Sequence, residues 1–145
     1  MKRLTTLLLL LLLCTTQASS KEKFSVALQT PSSCEQIQIS EIYSDSNSAV
    51  VVAKVFKHNK DAMCMMMISS SKDTITLPET LPKQTTVAIV GKSWCWKNQS
   101  ESTGYTFVKT KTQFDKLIAN KNKIFSNPLS KSFYYQGFDA GKNCK

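Results

Sequence analysis

The chain has 145 residues, of which 41% are apolar and 20% are charged, and its formal net charge is +9. This length and composition are typical of one folded domain and exclude a long disordered or low-complexity protein. The single arginine is Arg3, near the N-terminus. Because lysine lacks the planar fork with which arginine contacts phosphates and base edges, the lysine-rich composition disfavours sequence-specific nucleic-acid binding.

The N-terminal residues have the features of a secretory signal peptide. Two basic residues precede an unbroken leucine run from Leu7 to Leu13, and small residues follow it. This pattern marks a segment that is removed on export, and the run is shorter than the roughly 20 apolar residues that span a bilayer. We predict a signal peptide over residues 1–18, with cleavage after Ala18 or Ser20. Residues 19–145 then form a single secreted, extracellular domain without a transmembrane segment.

The cysteine count predicts disulfide bonds. Cys14 lies in the leader, so four cysteines remain in the exported chain, an even number that implies two bridges. A zinc site is disfavoured because the chain has no C-x-x-C pair. We therefore predict no metal and no other cofactor. The two bridges join the following residues in one of three possible pairings: Cys34, Cys64, Cys95 and Cys144.

Positive charge is concentrated in the C-terminal half. Loss of the leader leaves 17 lysines against 10 acidic residues, a formal charge of +7. The segment from Ser19 to Glu79 carries −1, whereas the segment from Thr80 to Lys145 carries +8. Such a surface attracts acidic glycans, anionic lipid headgroups or acidic proteins. The alternative is a solvated surface that only aids solubility.

Apolar runs predict most of the strands. Ser48–Phe56 contains five consecutive apolar residues and no polar face, which predicts a strand covered on both sides. The half-polar strand Ile37–Tyr43 precedes it across a short polar turn, and together they predict a hairpin. Further strands are predicted at Phe24–Leu28, Ala62–Ile68, Asp73–Leu77, Thr85–Val90, Tyr105–Thr110 and Ser132–Gln136.

The run Ala62–Ile68 contains four methionines beside Cys64. Soft sulfur ligands raise a Cu(I) site as one interpretation. Consecutive strand residues point to opposite faces, however, so the sulfurs would not converge on one ion. We therefore predict a buried strand in which methionine fills irregular gaps.

The apolar period changes near the C-terminus. Phe114, Leu117, Ile118 and Phe125 recur at helical spacing after Thr112, which predicts an amphipathic helix over Thr112–Phe125. We expect its apolar stripe to dock on the sheet, with membrane binding as the alternative. The elements together predict a β-rich (α+β) fold, an antiparallel β-sandwich or small barrel of about seven strands with one C-terminal amphipathic helix and two disulfides.

Aromatic and basic residues suggest a binding surface. Two tryptophans flank Cys95, and on an extended chain both rings share one face. They either pack around a disulfide or form an exposed platform for a sugar or protein. Asn98 begins the single N-glycosylation sequon, which predicts a glycoprotein. The predicted ligand-binding residues are Trp94, Trp96, Lys97, Lys109, Lys111, Lys116, Lys121 and Lys123.

No catalytic residue is predicted. His58 is the single histidine, which excludes mechanisms that need two imidazoles, and the chain has no nucleophile motif such as G-x-S-x-G. Glu35 and Glu41 would lie about 20 Å apart on an extended strand, too far for glycoside hydrolysis. We predict a secreted, non-enzymatic protein that binds an acidic extracellular glycan or a protein partner. The alternatives are a membrane-active toxin or antimicrobial protein that uses the helix, and an unrecognised secreted hydrolase that uses His58.

Overall fold

A computed structural model describes residues 21–91, 104–135 and 137–138, and the regular structure of these residues consists of seven strands and one short helix. The β-rich class is therefore confirmed. In chain order the elements are β1 (Lys23–Thr30), β2 (Glu35–Ser44), β3 (Ser48–Lys57), β4 (Ser69–Thr76), β5 (Gln84–Val90), β6 (Tyr105–Phe107), α1 (Lys111–Ile118) and β7 (Asn122–Ser126).

The strands form two sheets. A five-stranded sheet has the order β6-β5-β3-β2-β7, and β1 pairs with β4 in a separate antiparallel ribbon. The predicted hairpin of β2 and β3 is confirmed, with Ile37 opposite Val55 and Tyr43 opposite Val50. The valine-rich strand β3 therefore lies at the centre of the larger sheet.

The larger sheet is mixed rather than antiparallel, and the described strands form no closed barrel. β5 runs parallel to both of its neighbours, β3 and β6. Parallel neighbours need a crossover connection. After β3 the chain forms β4 in the two-stranded ribbon and then crosses back to the larger sheet. β5 therefore starts at the same end of that sheet as β3. A periodicity pattern gives strand positions but not the direction in which the chain re-enters a sheet.

Apolar residues cover both faces of β3, as the sequence predicts. On one face Val51 and Ala53 belong to a core that also holds Val26 of the ribbon. On the other face Val50 and Val52 belong to a second cluster, which side chains of α1 cover. The residues of β3 from Ala49 to Ala53 are at most 3% exposed. Burial on both sides explains why this strand has no polar face.

The helix is shorter than predicted. It spans Lys111–Ile118, where Thr110 rather than Thr112 is the N-cap and its side chain accepts a hydrogen bond from the backbone N–H of Gln113. Asn120 adopts a positive φ of 62°, and the chain then continues as β7, which pairs with the end of β2. Apolar residues of β7 fit a helical stripe as well as a strand. The segment forms a strand because it pairs with the free edge of β2, and the sequence alone does not show that this edge is free.

The run Ala62–Ile68 is not a buried strand. It is an irregular loop, β4 begins only at Ser69, and Met63 and Met66 are 101% and 81% exposed. A disulfide between Cys34 and Cys64, with the Cα atoms 5.5 Å apart, fixes this loop beside the start of β2. The hydrophobic run therefore stays outside both apolar cores.

The other predicted boundaries shift by a few residues or more. The predicted last strand, Ser132–Gln136, is represented in the described residues by a single bridge in which Lys57 and Tyr134 exchange backbone hydrogen bonds of 2.9 and 2.7 Å. Only one of the two predicted disulfides lies in the described residues, because Cys95 and Cys144 lie outside them. Within the described ranges, no helix has the length and apolar character to cross a membrane.

Candidate functional site

The predicted lysines do not share one environment. Lys121 is half-buried and forms an ion pair with Asp45, the residue that opens the β2–β3 turn. Its ammonium group also donates to the hydroxyl of Ser48 at 2.5 Å. Lys121 and the backbone amides of Asn47 and Ser48 hold the pKa of Asp45 well below its usual range. Lys121 thus stabilises the hairpin turn.

Lys123 belongs to a second charged cluster around Glu41. Its ammonium group lies 3.3 Å from a carboxylate oxygen of Glu41 and 5.2 Å from the ring centre of Tyr43, and Lys54 lies 3.6 Å from the same oxygen. Burial alone would raise the pKa of Glu41, but the Tyr43 hydroxyl and the two lysines lower it overall. Burial, together with the charge of Glu41, raises the pKa of Tyr135 to about 12.

The other described lysines of the predicted binding surface, Lys109, Lys111 and Lys116, are exposed. Lys111 pairs with Asp115 one helical turn later at 2.6 Å, in a surface geometry of little energetic weight. Lys109 and Lys116 form no ion pair within the described part of the chain. Three of the five described lysines of the predicted surface therefore form an ion pair with a carboxylate. The predicted residues Trp94, Trp96 and Lys97, and the sequon residue Asn98, lie outside the described residues.

An open groove of about 590 Å³ lies between the first half of β2 and the start of β4. This volume is within the usual range of small-ligand sites. Polar side chains and aromatic rings both contribute to its walls. The lining residues are Ser33, Glu35, Gln36, Ile37, Gln38, Phe56, His58, Ser69, Ser70, Ser71, Lys72, Asp73 and Phe133.

Side chains rather than a strand ladder join the two walls of this groove. The backbone N–H of Ile37 donates to the Ser71 hydroxyl at 3.0 Å, and that of Ile39 donates to an Asp73 carboxylate oxygen at 2.7 Å. On this edge of β2, the described partner strand β7 pairs only from Glu41 onwards. The side-chain bonds keep β4 beside β2 and satisfy edge amides that would otherwise lack a partner.

Both carboxylates of the groove are already engaged within the protein. Glu35 accepts a hydrogen bond from Ser32 and lies 3.4 Å from the ammonium group of Lys57. Asp73 accepts from the backbone amides of Ile39 and Thr74. In contrast, Lys72 forms no ion pair among the described residues. Asp73 likewise has no cationic partner there, so the groove contains one cation and one carboxylate without an ion pair.

Three rings form the other wall. Phe133 stacks on the buried ring of Phe56, with centroids 4.6 Å apart and an angle of 16° between the planes. His58 meets both rings edge-on, and its centroid lies 4.6 Å from that of Phe133. Because one face of Phe133 is covered by Phe56, only its opposite face is available to a bound molecule.

The groove contains residue types that hydrolases use, but they are not arranged as a relay. A Ser-His-Asp mechanism needs the imidazole to be hydrogen-bonded to both the nucleophile and the carboxylate. In the described part of the chain the contacts found for His58 are the two phenylalanine rings, and its ring makes no hydrogen bond to a serine or a carboxylate. The described residues also contain no group of three or more His, Cys, Asp or Glu side chains that could hold a metal ion.

Comparison with known proteins gives no match: no family model, no curated protein and no solved structure is similar to this chain.

Sequence reasoning missed this groove. Gln36 and Gln38 were visible as the wet side of a half-buried strand, and Ser69–Ser71 as a polar stretch that predicts a turn. The sequence predicts a terminal strand around Phe133. These segments lie far apart in the chain, and only the fold brings them together. The sequence offers one indication of the groove: neither the polar face of the predicted Ile37–Tyr43 strand nor the serine-rich run had a predicted function.

Proposed function

We propose that this protein is a secreted, non-enzymatic binding protein and that it holds an acidic extracellular glycan in the β2–β4 groove. The observation that carries the proposal is the distribution of charge in the groove. Glu35 and Asp73 are engaged by internal donors, whereas Lys72 lacks an acidic partner among the described residues. A carboxylate or sulfate on a sugar can pair with Lys72, while both oxygens of Asp73 accept hydrogen bonds from backbone amides.

The neutral groups of the groove suit a saccharide. Hydroxyl groups of serine and the side-chain amide of Gln36 offer both donors and acceptors, as sugar hydroxyls require. The half-buried ring of Phe133 lines the groove and provides an apolar surface for a sugar ring. Most of the lining residues are polar, which suits a hydroxyl-rich ligand better than an apolar one.

The lysines of the C-terminal half act at longer range in this proposal. Lys109 and Lys116 are exposed and attract a polyanion toward the protein, which raises the association rate more than the affinity. Lys121 and Lys123 contribute less because carboxylates neutralise them. The proposal includes the export signal at residues 1–18, glycosylation at Asn98 and a second disulfide between Cys95 and Cys144.

The toxin and hydrolase alternatives receive less support. Phe114, Leu117 and Ile118 of α1 pack on the sheet, so the apolar stripe is not available to a membrane in this conformation. His58 contacts phenylalanine rings and has no described hydrogen bond to a serine or a carboxylate. A non-enzymatic binding site is consistent with both observations.

Chromatography on immobilised heparin tests the proposal. The mature, disulfide-bonded protein should elute above physiological ionic strength, about 0.15 M salt. The double variant Gln36→Ala with Lys72→Gln should elute at clearly lower salt and bind heparin oligosaccharides roughly tenfold more weakly in calorimetry, because it loses one charge-assisted and one neutral hydrogen bond.

The matched control makes the same two substitutions away from the groove, Gln84→Ala with Lys83→Gln, at exposed positions. It removes the same charge and should bind nearly as well as the unmodified protein. Equal losses in both variants would show that net charge alone, not the groove, binds the glycan. Elution of the unmodified protein below about 0.15 M salt would overturn glycan binding altogether.

A further inference from the structure

The methionine loop, defined here as Ala62–Ile68, exposes apolar side chains to solvent. Met63 is 101% exposed, Met66 is 81%, Met65 and Ile68 are 67% and 62%, and Met67 is 51%. These five are the large hydrophobic side chains found exposed among the described residues. Monomeric proteins seldom leave a contiguous apolar patch in water unless it contacts another molecule.

The loop is held in place although its side chains are free. Cys64, near its middle, is bonded to Cys34 at the start of β2. The backbone N–H of Ser33 donates to the carbonyl of Met65 at 3.2 Å, and that of Met67 donates to the same carbonyl at 2.9 Å. A crosslinked backbone with exposed side chains loses less conformational freedom on binding than an unanchored loop.

The shape and size of the patch argue against a second copy of this chain. The exposed large hydrophobics of the described surface all lie in this loop, so a second copy offers only the same five side chains in return. A stable interface uses roughly 20–30 residues a side. Met63 and Met66 are the most exposed of the five, and such side chains become buried only in a pocket of a partner or in a deformable phase.

Lysines border the loop. The segment from Lys57 to Lys72 carries three lysines and one acid, Asp61. Lys60 and Lys72 form no ion pair in the described part of the chain. Apolar side chains that enter the acyl region, with cations at the level of the headgroups, are the arrangement with which peripheral proteins contact anionic leaflets.

We propose that the methionine loop is a membrane-contact site that inserts its side chains into a leaflet carrying anionic headgroups. Methionine suits this role because its flexible, unbranched side chain adapts to a fluid surface. None of the residues of the methionine loop lines the β2–β4 groove, although Lys72 borders both and both lie at the end of the molecule where β2 begins. The inference goes beyond the proposed function and does not depend on it.

Vesicle sedimentation tests the site with the mature, disulfide-bonded protein. Binding should be measurable on vesicles of phosphatidylcholine with phosphatidylserine and much weaker on phosphatidylcholine alone. The variant Met65→Ser with Met66→Ser should lower the partition coefficient at least tenfold, because two apolar side chains that enter the leaflet on binding are lost. The control, Thr74→Ser with Thr76→Ser on exposed positions of β4, should leave partitioning unchanged.

Two lysine variants and oxidation of the methionines provide further tests of the site. Lys60→Gln should weaken binding about fivefold, and Lys116→Gln on α1 clearly less, because only the first lies beside the loop. All four methionines of the mature chain lie in this loop. Dilute peroxide should therefore release the protein from vesicles, and methionine sulfoxide reductases should restore binding.

Equal partitioning of the methionine variant and the unmodified protein would overturn the proposal, as would concentration-dependent dimerisation through the loop in sedimentation velocity. Unchanged far-UV circular dichroism shows that a variant is folded. Heparin elution should not change in the methionine variant, so failure of the membrane site and failure of the glycan site are distinguishable.

Discussion

Gly91 shows how much one residue at the end of β5 constrains the fold. Its φ is +111°, and an added Cβ would lie 2.5 Å from the carbonyl oxygen of Val55 on the neighbouring strand. Gly91→Ala should therefore lower the free energy of unfolding by at least ~2 kcal/mol, from backbone strain and overlap together. Urea unfolding followed by circular dichroism measures this.

Gly104 provides the matched control for that substitution. Its φ is also positive, at +68°, but nothing lies within 4 Å of an added Cβ. Gly104→Ala should cost only about 1–2 kcal/mol, the penalty of the left-handed conformation alone. A loss at Gly104 equal to that at Gly91 would mean that contact with Val55 contributes nothing.

Asp45 makes the stability of the hairpin depend on pH. Lys121 and two backbone amides lower the pKa of Asp45 in the folded protein, so its ionised form stabilises the fold. This contribution is complete above about pH 4, the usual pKa of an aspartate, and is lost as pH falls through the lower folded value. Asp45→Asn should lower the Tm at neutral pH and flatten the acid limb of a plot of Tm against pH.

The exposed pair of Lys111 and Asp115 is the comparison for that experiment. Asp115→Asn removes one carboxylate, as Asp45→Asn does, but from a solvated surface pair of little weight. Its acid limb should follow that of the unmodified protein. If both variants have the same profile, general charge repulsion rather than the Asp45–Lys121 pair governs acid unfolding.

The lysines illustrate what sequence reasoning reaches at this scale. Lys111, Lys121 and Lys123 looked equivalent, since each is a cation in a basic half of the chain. The fold gives them different partners: Asp115 four residues away, and Asp45 and Glu41 from a distant hairpin. The local pair has the spacing of one helical turn, but Lys111 lies just outside the helix predicted from Thr112. The two distant pairs depend on β7 returning to the edge of β2, which no local pattern indicates.

At the scale of elements, the sequence was informative where burial on both sides leaves an unbroken pattern. The strand around Val50–Val52 and its hairpin partner follow directly from β-branched residues and alternation. Prediction failed for Ala62–Ile68 and for the second half of the helix, because periodicity gives local preference only. The Cys34–Cys64 disulfide holds the Ala62–Ile68 segment as a loop, and the free edge of β2 pairs with the second segment as β7.

The attachment of β4 to β2 depends on a carboxylate and is testable. Asp73 accepts the backbone N–H of Ile39, which lies at a buried position of β2. Asp73→Ala leaves this amide without its partner, so the free energy of unfolding should fall by about 1–3 kcal/mol in urea titration. Thr76→Ala, at an exposed position of the same strand, should change it by less than about 1 kcal/mol. Equal effects would mean that solvent replaces the carboxylate at no cost.

At the scale of the whole molecule, three features meet at one end of the larger sheet. The Cys34–Cys64 bridge, the methionine loop and the β2–β4 groove all lie where β2 starts and β3 finishes. The opposite end holds the hairpin turn with Asp45 and Lys121. The molecule thus separates a stabilised end from an end that offers open surfaces, and both proposed contacts belong to the latter.

The remaining cysteines test whether the chain is an exported, fully oxidised domain. Cys34 bonds Cys64, and the proposed signal peptide removes Cys14, so the proposal leaves Cys95 and Cys144 for the second predicted bridge. The described residues nearest to each support this pairing: Val90 and Phe138 belong to the same apolar cluster, and an added Cβ at Gly91 would lie 3.2 Å from the ring of Tyr135. The described residues that precede Cys95 and those that precede Cys144 in the chain therefore lie close together.

Alkylation of the denatured, unreduced mature protein should label no thiol, and proteolysis should release two disulfide-linked peptide pairs that mass spectrometry assigns to Cys34–Cys64 and Cys95–Cys144. A variant with Cys95→Ser and Cys144→Ser is expected to lose roughly 3–4 kcal/mol of unfolding free energy, because closing a loop of this length restricts the unfolded chain. Free thiols at Cys95 and Cys144 would contradict the two-bridge fold and, with it, the proposal that the mature protein works in an oxidising extracellular compartment.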